Sequence, residues 1–214
     1  MKPDFLYLGP DKSGSTWLYE VLKQHPECYV APCKDIYYFD KYYDRGLEWY
    51  EAFFKDAPEN ARAIGELSHG YLFCEQAVER IGNDLPDITL LATLRNPVER
   101  CFSHYLYLLS SGLVTGTFEE VLKNRPGVIR SSLYSEPVSM YLSRFGKEQL
   151  HIFLFDDLKT NPKSFAVKVF DVLGLSETGH INYQKKVRAA RKARSHFAAR
   201  LAKQAAIFAR DMGY

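Results

Sequence analysis

The chain has 214 residues, 46% hydrophobic and 25% charged, which suits one globular domain with a real core rather than a disordered chain. A formal net charge of +2 gives no reason to expect nucleic acid, so any anion-binding argument has to come from local clusters. Cys28, Cys33, Cys74 and Cys101 lack CxxC or Cys/His ligand spacing, no apolar run reaches bilayer length, and no signal-peptide pattern opens the chain. The expectation is a cytoplasmic protein with reduced thiols, no metal and no membrane span.

In chain order, strand-like and helix-like stretches alternate. Asp4 to Leu8 predicts a buried first strand, Gly9 to Ser15 a small polar loop, and Thr16 to Gln24 a helix with Trp17, Leu18, Val21 and Leu22 at helical spacing. Ala61 to Glu66 predicts a short strand. Ile88 to Leu94, continuously apolar, predicts a central parallel strand. Pro97 opens a helix to about Ser111, since its missing N–H costs nothing in a first turn. Tyr134 to Phe145 predicts a helix, Leu150 to Phe155 a strand, and Asn161 to Leu173 a helix stopped by Gly174. Ala193 to Asp211 predicts a long basic helix. This alternation predicts an α/β fold: a phosphate-loop-like, mostly parallel central sheet with helices on both faces, as one domain over 1–214.

The loop Gly9-Pro10-Asp11-Lys12-Ser13-Gly14-Ser15-Thr16 stands between strand and helix. A glycine-bearing loop there aims backbone N–H groups at an anion, and the helix N-terminus adds positive potential. The bland alternative is a Ser/Thr cap on an ordinary helix. The nucleotidase pattern GxxxxGK[ST] wants lysine where Ser15 stands, and the lysine comes earlier, at Lys12. A kinase also wants a carboxylate beside the loop to hold Mg²⁺, whereas the central strand ends in Leu94-Arg95. The loop therefore suits phosphate or sulfate without a metal.

The second feature is Arg95-Asn96-Pro97-Val98-Glu99-Arg100-Cys101-Phe102-Ser103-His104-Tyr105, at the end of that strand. Arg95 stands where open α/β sheets bind ligands, and Ser103 is placed on roughly the helix face of Glu99 and Arg100. Arg95 and Ser103 then suit one phosphate, through a bidentate guanidinium and a hydroxyl; an ordinary salt bridge and an exposed serine are the alternative.

Together these segments resemble the sulfotransferases that use 3′-phosphoadenosine-5′-phosphosulfate (PAPS). Lys12 to Thr16 is similar to the family's 5′-phosphosulfate loop, and Arg95 to Tyr105 fills every fixed position of its 3′-phosphate pattern RNPxxRxxSxY. Lys34-Asp35-Ile36-Tyr37-Tyr38-Phe39-Asp40 resembles the K-E-x-x-F-F-D phrase of the bacterial and heparan-type branch. The resemblance covers roughly Asp4 to Ser195. It implies sulfuryl transfer from PAPS, with PAP as product, to an acceptor hydroxyl or amine on a small molecule or saccharide. It implies Lys12, Ser13, Gly14, Ser15 and Thr16 on the phosphosulfate, with Arg95, Ser103 and Tyr134 near the nucleotide. A basic family loop corresponds to Arg191, Lys192 and Arg194, for which a solvated helix face is the alternative. The chain stops sooner than family members usually do, so a shortened C-terminus is expected.

Two residues compete as general base. Asp35 stands where the heparan-type branch has glutamate, one methylene longer; an exposed pair with Lys34 is its alternative. His69, in Gly65-Glu66-Leu67-Ser68-His69-Gly70, resembles the histidine of the cytosolic branch's K-T-H-x-P phrase, and needs no large pKa shift to accept a proton. Heparan-type members usually carry lysine at Leu67 and proline at His69. Ser132 also matches a family position near the nucleotide, against an N-cap reading. Tyr37, Tyr38, Phe39, Tyr42, Tyr43, Trp49 and Tyr50 suit either an acceptor pocket or plain core packing. Two other classes remain beside this reading: a small-molecule kinase, predicting Mg²⁺ dependence, and a non-catalytic nucleotide or nucleic-acid binding module, predicting steep salt dependence.

Overall fold

A computed structural model describes residues 1–184 of the chain. Five strands make one sheet: β1 (Phe5–Gly9), β2 (Cys28–Val30), β3 (Ala63–Leu67), β4 (Thr89–Leu94) and β5 (Leu150–Leu154). Their order is β2-β3-β1-β4-β5 and every pairing is parallel. β1 is buried at all five positions, as a strand covered on both faces must be, and this explains its uninterrupted Phe-Leu-Tyr-Leu run. The edge strand β5 alternates in exposure instead.

The helices are α1 (Ser15–Leu22), α2 (Tyr38–Lys41), α3 (Leu47–Glu51), α4 (Glu75–Asp84), α5 (Pro97–Ser110), α6 (Phe118–Asn124), α7 (Gly127–Arg130), α8 (Ser135–Gln149), α9 (Phe155–Thr160) and α10 (Pro162–Val172). Alternate residues of β1 serve two apolar layers. Phe5 and Tyr7 pack with Leu18, Val21 and Leu22 of α1 and Phe165 and Val169 of α10. Leu6 and Leu8 pack with Phe39, Tyr50, Ile81 and Tyr141, from α2, α3, α4 and α8. A period of two in the strand thus divides helices between opposite faces, and the expected parallel sheet covered on both sides is what forms.

Local chemistry sets the helix ends. Asn161 caps α10 by accepting from Ser164 N–H at 3.0 Å, with Pro162 in its first turn. Thr117 and Glu120 form a reciprocal capping box on α6.

Of the described residues, 1–96 and 133–184 form one compact unit, and Pro97–Ser132 belong to a second. The second has its own small cluster of Cys101, Leu108 and Val128. In it Arg100 is fully buried and donates to the Val128 carbonyl at 2.9 Å and Ser132 Oγ at 3.2 Å. Glu99, its chain neighbour, is exposed, so the two do not share a face in the way the helical spacing suggested.

Candidate active site

In the first unit, the carboxyl ends of the central strands β1, β3 and β4 carry the loop 10–14, the turn Ser68-His69-Gly70 and Arg95. This is the edge at which open α/β sheets bind ligands. Gly9 has φ +120° and lies so close to the backbone of His69 that a Cβ there would collide with the His69 carbonyl oxygen. The start of the loop and the His69 turn are therefore in direct contact.

Along the loop, Lys12 takes the left-handed conformation, with φ +63°. Its carbonyl accepts from Arg95 Nη1 at 3.2 Å. Ser13 is 1% exposed, and its Oγ has no protein partner. A buried hydroxyl costs free energy unless something bonds it, so this atom fits a bound anion. Gly14, with φ +91°, precedes α1, whose first turn holds no acidic residue. A Cβ on Gly14 would come within 2.6 Å of Leu158 Cδ2. The hydroxyls of Ser15 and Thr16 both accept from Lys34 Nζ, at 3.0 and 3.3 Å.

The segment after β2 is fastened to the end of β3. Asp35 N–H donates to the Leu67 carbonyl at 2.9 Å, and Tyr37 N–H to Ser68 Oγ at 3.1 Å. Asp35 and Tyr37 are both left-handed, with φ +63° and +57°. Lys34 and Asp35, adjacent in the chain, consequently serve different partners: Lys34 reaches the loop hydroxyls, and Asp35 reaches His69.

The two rival bases form one unit. Asp35 Oδ1 is 2.6 Å from His69 Nδ1, with Asp35 20% and His69 30% exposed. Asp35 is therefore not the surface partner of Lys34 that an exposed pair would make it. Burial pushes the Asp35 carboxyl up, but the hydrogen bond and charge of His69, with Lys34, outweigh this and hold it below its ordinary range. An ionised Asp35 accepts the Nδ1 proton of His69 and leaves Nε2 as the basic nitrogen. Nε2 has the Tyr37 hydroxyl at 3.1 Å. Asp40 is close enough for His69 to act on its charge, and burial pushes its carboxyl up.

Beneath this pair, Glu66 is 1% exposed. It accepts from Ser68 Oγ and from the Tyr71 hydroxyl, each at 2.6 Å, and from the Tyr50 hydroxyl at 3.4 Å. Burial pushes its carboxyl up to about 7, against the opposing pull of the Ser68 and Tyr71 hydrogen bonds. Glu66 thus holds Ser68, and Ser68 holds the backbone of Tyr37.

Among the sequence-derived candidates, the structure joins Asp35 to His69, and Lys12 to Arg95. It adds Tyr134, whose hydroxyl donates to the Arg95 carbonyl at 3.0 Å. The Arg95 guanidinium also lies 4.6 Å from the centre of the Phe155 ring. Ser103 is half-buried on α5 in the second unit, and Ser132 is buried there against Arg100. Arg191, Lys192, Arg194 and the long basic helix lie outside the described residues. The aromatic segment is mainly core: Tyr38, Phe39 and Tyr50 are buried, and the rings of Tyr38 and Tyr50 stack at 4.5 Å. Sequence reasoning passed over Lys34, Glu66 and Ser68 as site residues, and offered Tyr37 only as one of the acceptor-pocket or core aromatics. A polar Glu-x-Ser-His run at the end of a buried strand was the available signal.

The profile of the sulfotransferase domain matches residues 2–200. Heparan sulfate glucosamine 3-O-sulfotransferase 6 of Mus musculus is 31% identical over 185 residues, which are 81% of this chain and 52% of that protein. The chain spans about half, or less, of the length of the curated relatives it matches first. The crystal structure of a sulfotransferase from Alicyclobacillus acidocaldarius superposes with a TM-score of 0.79 at 26% identity, over 98% of this chain and 93% of that one. Mouse sulfotransferase SULT7A1, in complex with PAP, shares the fold at 17% identity and a TM-score of 0.58, over 83% of this chain and 61% of that one. With a phosphate loop lacking the nucleotidase lysine, an arginine at the end of β4 and a domain match along nearly its whole length, the chain belongs to the sulfotransferase family.

Proposed function

We propose that the chain transfers a sulfuryl group from PAPS to an acceptor hydroxyl or amine, with His69 as general base and Asp35 as its orienting partner. The observation that carries this is the 2.6 Å Asp35–His69 bond set directly against the phosphate loop at Gly9. PAPS supplies the sulfuryl group and its leaving phosphate. The residues present fit it: Ser13 Oγ is buried without a protein partner, and backbone N–H groups open α1. Lys12 and the hydroxyls of Ser15 and Thr16 would hold the phosphosulfate, and Arg95 with Tyr134 the nucleotide side.

The chain's own contribution is positioning and electrostatics. His69 Nε2 takes the acceptor's proton, and Asp35 fixes the ring and stabilises the imidazolium that results. Tyr37 occupies Nε2 until an acceptor replaces its hydroxyl. Arg95 braces the loop through the Lys12 carbonyl, so loop shape and nucleotide binding are linked. The name of the mouse relative supports a saccharide acceptor.

The test is calorimetric titration with PAP, and separately with ATP plus Mg²⁺, at fixed ionic strength. Metal-independent binding of PAP that is lost without the 3′-phosphate supports the reading. Binding of ATP with Mg²⁺ but not of PAP would replace it with a kinase reading.

A further inference from the structure

Lys34 has no part in the donor site as read above, yet it touches that site. Its Nζ donates to Ser15 Oγ at 3.0 Å and to Thr16 Oγ1 at 3.3 Å, both in the first turn of α1. Ser15 is buried, and Lys34 is half-buried, so the ammonium is partly withdrawn from bulk water. In such a place a cation acts on a nearby anion far more strongly than at an exposed surface. Ser13, two residues before Ser15, adds the buried hydroxyl that lacks a protein partner. The chain offers a cation, two engaged hydroxyls and one unsatisfied hydroxyl around the helix N-terminus.

The position of Lys34 is fixed from the other side as well. Asp35 follows it in the chain, is held to β3 by its N–H on the Leu67 carbonyl at 2.9 Å, and gives its carboxylate to His69. Lys34 therefore bridges the base and the donor loop. Lys12 is differently placed: its backbone carbonyl is held by Arg95, which follows β4. An in-line transfer puts the moving group between the leaving oxygen and the acceptor atom beside the base. Lys34 is tied to the segment that carries Asp35 and reaches onto the loop hydroxyls, so it joins the two ends between which the group would move.

We propose that Lys34 is a second cation of the donor site, one that contacts the sulfuryl group of PAPS and not the phosphates that PAP retains. This rests on the sulfotransferase reading. The hydroxyls of Ser15 and Thr16, which accept from Lys34, would rotate to donate to the same oxygens. Lys34 itself makes and breaks no covalent bond: as the acceptor–sulfur bond forms and the sulfur–oxygen bond to the phosphate of PAP breaks, its ammonium would balance charge on the sulfuryl oxygens while His69 Nε2 takes the acceptor's proton.

The experiment needs no acceptor. The full chain and its Lys34→Met variant are titrated with PAP and with PAPS in separate runs, with Lys34→Gln as a second variant and thermal unfolding as a check of folding. The expected result is PAP affinity within about twofold of the parent and PAPS affinity weakened about tenfold or more, the scale of one charge-assisted hydrogen bond. Lys34→Arg should recover most of the preference for PAPS. Equal weakening of both ligands in folded variants, or no change in either, would overturn the proposal. If the parent chain bound no PAP, the sulfotransferase reading would fail first and this one with it. Parent binding with indifferent variants removes Lys34 alone.

Discussion

Asp35 and His69 lie on segments that leave two adjacent strands, and their side chains meet at 2.6 Å. Two residues that looked like alternatives are joined by one hydrogen bond, and in the proposed mechanism they act as a single proton acceptor. His69→Ala should lower turnover by about 10²–10⁴-fold, the usual contribution of a general base. Asp35→Asn should also cause a large loss, because it favours the wrong tautomer of the imidazole. The double variant should lose little more than the worse single one. Turnover with PAPS and a saccharide acceptor measures all three, and additive losses would show independent roles.

Arg95→Ala should weaken PAP binding more than binding of adenosine 5′-phosphosulfate, because only PAP carries a 3′-phosphate. Some loss is expected for both, since the arginine also supports the Lys12 carbonyl. Calorimetry with the two ligands reads the difference, and equal losses would leave Arg95 as a brace alone.

Glu66 makes stability depend on pH. Its carboxyl is raised in the folded protein from an ordinary 4.5 to about 7, so the folded state favours the protonated form. The stabilisation is complete below about pH 4.5 and disappears as pH rises through about 7, a change on the order of 3 kcal/mol. Glu66→Gln should remove this slope while keeping a hydrogen-bonding group between Ser68, Tyr71 and Tyr50. Chemical denaturation from pH 4 to 8 provides the check, and an identical slope in the variant would remove Glu66 as its source.

Gly14→Ala should destabilise the protein and weaken PAP together. Its φ of +91° disfavours any side chain, and the new Cβ would press on Leu158. The conformational part alone costs about 1–3 kcal/mol. A lower unfolding temperature with unchanged PAP affinity would show that the loop keeps its shape despite the strain.

Sequence patterns carried the frame of this protein well. The continuous apolar runs gave β1 and β4 to within a residue or two, and Pro97 and Gly174 marked helix ends because their backbone chemistry is local. The short strand β2 and the helices α2, α3, α4, α6, α7 and α9 went unread. β2 is three residues long and makes its pairing with β3, from a distant part of the chain. The site followed the same division. Lys12, Ser13 and Arg95 stand in local motifs, whereas Lys34, Tyr37 and Glu66 are placed by contacts among α1, α3 and the segments that follow β2 and β3. Asp35 and His69 were each visible, but a hydrogen bond across 34 positions leaves no local trace.

The placement of Lys34 and Asp35 on consecutive residues has an evolutionary consequence. Two opposite charges diverge at a single left-handed residue, and the flanking N–H bonds to Leu67 and Ser68 fix where that divergence occurs. Substitutions can therefore tune either partner separately, while an insertion or deletion between β2 and α2 would misdirect both at once. Among relatives of this chain, the stretch from Ala31 to Tyr37 should vary in composition and hold its length.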